Sequence, residues 1–168
     1  QPTRAHLINY PFWMSSYPVT RQQYQNFLRE GYEQEDIWPP HGFAIYKEQN
    51  ITQPEERELD AIGIDYKYGN FPILGVSWYE CMAFARWYTR WAKTHSTYEN
   101  ILPENYVIRL PTESEWERAT TWPDGLPYPS ANRAYLLGSA NVDERDENGN
   151  WLKNPTSVGV FPNSRNAL

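Results

Sequence analysis

Residues 75–91, GVSWYECMAFARWYTRW, combine a helix start signal with an unusually apolar helix. Ser77 stands three residues before Glu80, which is the spacing of a capping box. In that motif the serine hydroxyl accepts a hydrogen bond from a backbone N–H of the first turn, and the glutamate reaches back to the cap residue. The positions that follow are mostly Trp, Tyr, Phe, Met and Ala, and a helix with so few polar positions is normally buried on more than one side. We therefore expect this helix to be the central packing element.

Two further helix starts carry the same signal. Thr20 is followed three residues later by Gln23, and Thr112 is followed by Glu115. The reciprocal hydrogen bonds of a capping box satisfy backbone N–H groups that have no partner within the helix. The sequence therefore predicts helices that begin after Thr20 and Thr112, and Gly31 is expected to end the first of them.

Three carboxylates lie close together in RLPTESEWERA, residues 109–119. Glu115 is explained by the capping box, while Glu113 and Glu117 stand in or near a first turn, where the helix dipole favours anions. A catalytic carboxylate pair would need a cleft and perturbed pKa values, neither of which a sequence shows. We interpret these carboxylates as structural.

The composition limits the classes of function. The chain has 168 residues and a formal net charge of −6, with a pI of about 5.1, which argues against a nucleic-acid backbone as the main partner. No apolar run reaches the roughly 18 residues of a membrane span. The single cysteine, Cys81, excludes an internal disulfide and a cysteine zinc cluster. The compartment stays open, with the cytoplasm the expected one, and the first residue, Gln1, indicates a piece of a longer or processed protein.

Aromatic residues make up 16% of the chain, and 14 prolines interrupt it. FPILGVS, YVIRLP and TSVGVFP are short apolar runs of strand length. Residues 45–70 form a polar, acidic connection that is long enough to be functional or mobile. This mixture predicts an α+β architecture with much irregular structure, held together by aromatic side chains.

Five segments occur in the order and rough spacing of the formylglycine-generating-enzyme family, whose domain is also called the sulfatase-modifying domain, and the chain resembles that family. They are YPVTRQQYQNFL, FPILGVSWYECMAFARWY, RLPTESEWERA, SANV and SVGVFPN. The resemblance implies a variant of the C-type lectin fold, α+β, with few helices, small antiparallel sheets and long loops. It also implies that residues 1–168 form a single domain of this family that lacks the family's C-terminal part.

The resemblance carries over little of the family's chemistry. Members that oxidise a substrate cysteine hold copper on a cysteine pair in the C-terminal part, which would lie beyond residue 168. Cys81 does not replace that pair, because it stands inside the apolar helix, where a small thiol is expected to be a packing residue. The histidines His6, His41 and His95 show no metal-ligand spacing. In the branch of ergothioneine-type sulfoxide synthases, the histidines that bind iron come from a separate N-terminal domain.

One site of the family transfers by resemblance. Family members hold a calcium ion on a loop after the RLPTE helix, and the matching segment here is SANVDERDENGNW. It offers oxygen atoms from Asn141, the carbonyl of Val142, Asn148 and the carbonyl of Asn150, donors of the kind that calcium prefers. An amide at Asn148 replaces the usual carboxylate. The alternative is an exposed hairpin turn at ENGN.

Two main functions remain, together with a minor one. We favour a non-catalytic ligand-binding or scaffold module of a bacterial protein, for example of the variable-protein type found in diversity-generating retroelements. Such a module is expected to bind a protein or small-molecule ligand through the C-terminal surface that these residues lack, within a larger chain or complex. The argument is that no nucleophile–base pair is suggested by spacing. The alternative is part of a copper-dependent formylglycine-generating oxidase whose catalytic cysteines lie beyond residue 168. An inert domain of a signalling protein is the third class.

Overall fold

The computed structural model describes residues 7–54, 68–95, 102–121, 139–142, 149 and 154–161. The described helices are α1 (Arg21–Glu30), a 3-10 helix (Glu35–Ile37), α2 (Gly42–Glu48), α3 (Trp78–Thr94) and α4 (Glu113–Thr121). The chain divides into two compact units: Val19–Leu110, and Gln1–Pro18 together with Pro111–Leu168. The first unit holds every described helix except α4.

All three predicted capping boxes are confirmed. At α3, the Glu80 amide donates to the Ser77 hydroxyl at 3.2 Å, and the Ser77 amide donates to Glu80 Oε2 at 2.8 Å. The same pair of bonds joins Thr112 to Glu115 at the start of α4, at 3.2 and 2.8 Å. Thr20 caps α1 together with Gln23 in the same way. These bonds span only three residues, so the local sequence is sufficient to place the start of each helix.

The core of the first unit is aromatic and lies between α1 and α3. Phe27 of α1 is fully buried, and its ring centroid lies 5.7 Å from that of Trp87 on α3. Tyr24 stacks on Phe84, with centroids 5.3 Å apart. The prediction that α3 is the central packing element is therefore confirmed. Trp78 is the exception: it stands at the first helical position and is 58% exposed.

Gly31 follows the last residue of α1, as predicted, but for a different reason from the usual one. Its φ of −128° is not the left-handed conformation of a typical helix-ending glycine. A Cβ atom at this position would instead lie 2.4 Å from Cδ1 of Trp87 and 2.8 Å from Cδ2 of Phe27. Glycine is needed here because the backbone runs against the rings of the core.

The 3-10 helix and α2 were not predicted. Residues 45–48, assigned from sequence to an irregular connection, belong to α2, while residues 55–67 of that connection lie outside the described residues. The signal was missing because α2 has no side-chain N-cap; the residue before it is His41, with a φ of 66°. Tertiary packing supports α2 instead: Gly42 lies so close to Tyr79 of α3 that a Cβ would be 2.8 Å from its ring.

The predicted strands are not formed as β-ladders in the described residues. An isolated antiparallel bridge joins Thr20 and Pro72, and residues 158–159 lie in a turn. In the run YVIRLP, the amide of Ile108 donates to the hydroxyl of Thr89 on α3 at 2.8 Å. A helix side chain thus takes a hydrogen bond that a neighbouring strand would otherwise accept.

Among the described residues, no helix combines the length and the apolar character that crossing a membrane requires.

Candidate functional site

The described structure contains three groups of side chains that bear on function. They are the proposed calcium loop, two buried carboxylates, and an open cleft between α2 and α3.

Part of the predicted calcium loop is described. Asn141 uses its amide nitrogen to donate to the carbonyl of Asn154 at 3.0 Å, with a longer contact of 3.4 Å to the hydroxyl of Thr156. Val142 is 46% exposed. Asn148 and Asn150 lie outside the described residues, as do Asp143 and Asp146, which could add negative charge. The Asn141 bonds therefore tie together the two ends of the predicted loop, and the ligand set itself stays a prediction.

Glu115 is the first of the two buried carboxylates. It is 2% exposed, and its Oε1 accepts a hydrogen bond from the hydroxyl of Tyr10 at 2.9 Å, while Oε2 accepts the capping bond from the Thr112 amide. Glu113 and Glu117, by contrast, are both exposed. The prediction that Glu115 completes the capping box at the start of α4 is confirmed by these contacts.

Glu80 is the second buried carboxylate, and it is also 2% exposed. Its Oε1 accepts from the hydroxyl of Tyr32 at 2.8 Å, and its Oε2 accepts from the hydroxyl of Tyr46 at 3.0 Å as well as from the Ser77 amide. The Tyr46 and Ser77 hydroxyls also hydrogen-bond each other. Since both oxygens have protein donors, Glu80 joins α2 and the residues after α1 to the start of α3.

The ionisable groups around Glu80 are held in their protonated forms. Burial raises the pKa of the Tyr32 hydroxyl well above its usual range, and its hydrogen bond to Glu80 raises it further. Burial and the negative charge of Glu80 also raise the pKa of Tyr24 and of the Cys81 thiol. A thiol is a poor nucleophile compared with a thiolate, so Cys81 suits packing better than catalysis.

The Tyr24 hydroxyl is buried and has no hydrogen-bond partner in the part of the chain that the structure describes. Only 1% of this residue is exposed, so bulk water does not reach it. A buried hydroxyl without a partner costs about 1–3 kcal/mol. Tyr24 is therefore a polar group that the aromatic core tolerates at a cost.

The described histidines do not form a metal site. His95 caps the end of α3, where it stacks on Trp91 with ring centroids 4.2 Å apart. His41 precedes α2, and His6 lies outside the described residues. In the described ranges, no three His, Cys, Asp or Glu side chains come close enough together to hold a metal ion. These residues do not fit the copper or iron of the enzymes that the sequence resembles.

An open cleft of about 490 Å³ lies between the segment of residues 35–44 and α3. We call it the α2–α3 cleft. Its lining includes Trp38, His41, Phe43 and Arg86. Sequence reasoning did not find it, because Arg86 is more than 40 residues from the rest of the lining and no short motif joins them.

The family model described as the sulfatase-modifying factor enzyme 1-like domain matches residues 1–166. This chain belongs to that family. A C-type-lectin-like fold fits the family, and the helices and sparse β-structure of the described residues do not conflict with it. No solved structure gives a significant match to this member of the family.

Curated relatives of this sulfatase-modifying factor domain include enzymes. Hercynine oxygenase of Mycolicibacterium smegmatis is 28% identical over 166 residues, which are 94% of this chain and 34% of the relative. Hercynine oxygenase of Mycobacterium tuberculosis is 27% identical over 167 residues, with the same coverage of 94% and 34%. Serine/threonine-protein kinase Pkn1 of Chlamydia trachomatis is 29% identical over 129 residues, 75% of this chain and 17% of the kinase.

These relatives overturn the favoured function of the sequence analysis. The expectation of a non-catalytic ligand-binding or scaffold module is wrong, because the similar oxygenases support an enzymatic role. The alternative of an oxidase agrees better with these relatives than the binding module does. The chain spans about a third of the length of those relatives. The lack of a nucleophile–base pair in one such stretch carried no weight, because active sites assemble from residues distant in sequence.

Proposed function

We propose that this chain is part of an oxygen-using enzyme related to the hercynine oxygenases. One observation carries the proposal: the similarity to three proteins of that name runs over 94% of this chain, at 27–28% identity. The similarity is not limited to one short motif, because the matched residues include the capped helices of the first unit. Hercynine is therefore the first substrate to test.

Within such an enzyme, the described residues supply a rigid frame. Glu80 and Glu115 are both buried, and each has a hydrogen-bond donor at both of its oxygens. Cys81 is kept protonated by burial. Residues of this kind hold helices in place, and rigid helices position side chains more precisely than loops do. The metal and the reacting groups are expected from other parts of the protein.

A second candidate is favoured by the family itself. The domain is described as sulfatase-modifying factor enzyme 1-like. The formylglycine-generating enzymes that the sequence resembles oxidise a substrate cysteine, so oxidation of a cysteine is the second candidate reaction. The two candidates share oxygen as the oxidant and differ in the compound that is oxidised. One assay therefore tests both.

The assay measures oxygen consumption by the full-length protein that carries this chain. The protein is loaded with either Fe(II) or Cu(I) and supplied with hercynine or with a cysteine-containing sulfatase peptide. Each mixture also contains a small thiol, which provides the sulfur or the further electrons that full reduction of oxygen requires. We expect uptake above background that depends on hercynine. Uptake with the peptide alone would support the second candidate. Folded, metal-loaded protein that consumes no oxygen with either substrate would refute both.

Calcium is a separate proposal, for a structural role. In its support, Asn141 bridges to Asn154 and Thr156 and so closes a loop whose residues Val142, Asn148 and Asn150 offer oxygen donors. An ion that binds the native state stabilises it, so we expect calcium to raise the melting temperature by a few degrees relative to EGTA.

Asn141→Ala should abolish that difference, and magnesium should not replace calcium, because it demands a tighter octahedral set of ligands. Identical melting curves in calcium and in EGTA would eliminate the site.

A further inference from the structure

We propose that the α2–α3 cleft binds a small monocarboxylate with a flat, apolar body. The cleft is built entirely within Val19–Leu110, and the argument for it is independent of the oxygenase proposal. It rests on one cation, two aromatic rings, one strained residue and one acidic side chain that line the same space.

Arg86 supplies the charge for a carboxylate. Its Nη1 donates to the carbonyls of Ile37 at 3.2 Å and Trp38 at 2.9 Å, which fixes the guanidinium against the segment that forms the other wall. A guanidinium has five N–H donors, so about three remain. No carboxylate partner of Arg86 exists among the described residues. A fixed guanidinium with remaining donors is the group that recognises a carboxylate through two parallel hydrogen bonds.

The other cations on this side of α3 are already engaged. Arg90 forms an ion pair with Asp36 at 2.7 Å, and Lys93 donates to the carbonyl of Glu104 at 2.7 Å. Neither residue lines the cleft. Arg86 therefore differs from both neighbours in lining the cleft. Unlike Arg90, it also has no acidic partner among the described residues, so Arg90 provides a matched control.

Two rings supply the apolar wall. The centroids of Trp38 and Phe43 lie 6.0 Å apart, with an interplanar angle of 53°, so the rings form a corner. Pro39 and Pro40 add further apolar surface. The volume of about 490 Å³ falls within the usual range for small-molecule sites, which combine aromatic walls with a few polar groups. A flat apolar group suits such a corner.

His41 adds a strained backbone at the same place. Its φ of 66° lies in the left-handed region, which side chains other than glycine adopt at a conformational cost. Such strain is concentrated at binding and catalytic sites, where the surrounding structure maintains it. An imidazole N–H is also a suitable donor to a carboxylate that lies against Arg86.

Glu35 sets the expected selectivity. It lines the cleft together with Arg86, and it carries the opposite charge. A ligand with a second carboxylate would be repelled by Glu35, whereas a ligand with a single carboxylate can place that group at Arg86. This is why the proposal names a monocarboxylate.

Benzoate is the test probe, and its binding to the metal-free, full-length protein is measured by calorimetry and by tryptophan fluorescence. We expect benzoate to bind more tightly than acetate, which lacks the ring, and more tightly than phthalate, which has two carboxylates. Arg86→Gln should weaken benzoate binding at least tenfold, as expected for the loss of charge-assisted hydrogen bonds. Arg90→Gln should leave the affinity unchanged within twofold, and Glu35→Gln should increase the affinity for phthalate.

The outcomes separate this proposal from the oxygenase proposal, since the protein is free of metal and hercynine is absent. No benzoate binding by the wild-type protein, or equal affinities for Arg86→Gln and Arg90→Gln, would overturn it. If Arg86→Gln proves unfolded by circular dichroism, the Glu35→Gln variant decides. In that case an unchanged preference for benzoate over phthalate in Glu35→Gln would contradict the assignment of the two charges.

Discussion

Replacing Gly31 with alanine tests whether the residue after α1 is a glycine because of packing. The backbone itself permits alanine, since the φ of −128° is an ordinary value for any residue. The new methyl group, however, would lie 2.4 Å from Cδ1 of Trp87, and ordinary contacts begin at 3.4 Å. Trp87 would have to move by about 1 Å.

Trp87 has little room for that movement. Its ring centroid lies 5.7 Å from that of Phe27 and 5.9 Å from that of Phe84, and both neighbours are buried. Overpacking a well-packed core costs about 1–3 kcal/mol. Alanine also restricts the unfolded chain, which offsets ~0.4–1 kcal/mol of the loss. We expect Gly31→Ala to lower the free energy of unfolding by about 1–1.5 kcal/mol.

The measurement is denaturant unfolding followed by circular dichroism, with Gly69→Ala as the matched control. At Gly69 the nearest atom to an added Cβ is Cβ of the exposed Gln22, at 3.3 Å, so the expected change is within about 0.5 kcal/mol. In a Trp87→Leu background the indole is absent, so Gly31→Ala should cost less than in the wild type. An equal cost in both backgrounds, or no cost in either, would refute the packing explanation.

Three further predictions concern the surroundings of Glu80. Ser77→Ala removes the N-cap of α3 and should destabilise the protein by about 1 kcal/mol in the same unfolding assay; an unchanged midpoint would contradict the capping box. Tyr24→Phe removes a buried hydroxyl that has no partner among the described residues, so the variant should be at least as stable as the wild type. Tyr32→Phe removes a hydrogen bond to Glu80 and should cost about 1.5–3 kcal/mol. A Tyr24→Phe variant less stable than Tyr32→Phe would show that the Tyr24 hydroxyl has a partner. The free energy of unfolding should fall as the pH rises above about 9. The reason is that the raised pKa values of Cys81, Tyr24 and Tyr32 make the folded state hold protons that the unfolded state releases. A melting temperature that stays constant from pH 8 to pH 10.5 would rule out this linkage.

Much of the fold's framework was predictable because its signals are local. The caps at Thr20, Ser77 and Thr112 act over three residues, and the apolar sequence of α3 shows its burial directly. The family resemblance was equally visible in the order of five short segments. The predicted strands form no ladder within the described residues, because ladder formation depends on a partner strand. At Ile108, a side chain of α3 accepts the backbone hydrogen bond instead.

The functional reasoning was weaker than the structural reasoning. The preference for a non-catalytic module rested on groups missing from these residues, and the similarity to hercynine oxygenases contradicted it. The α2–α3 cleft was invisible for another reason: it depends on α2, a helix without a side-chain cap that begins after a left-handed histidine. No periodicity or cap signal predicts such a helix.

By itself, the sequence determined where the three capped helices begin, that α3 is buried, and to which family the chain belongs. The tertiary structure alone decided that Glu80 and Glu115 receive tyrosine hydrogen bonds, that Gly31 lies against Trp87, and that Arg86 faces the same cleft as Trp38. The physical reason is distance along the chain. A cap is complete within four residues, whereas a buried carboxylate or a cleft exists only after packing has brought remote side chains together.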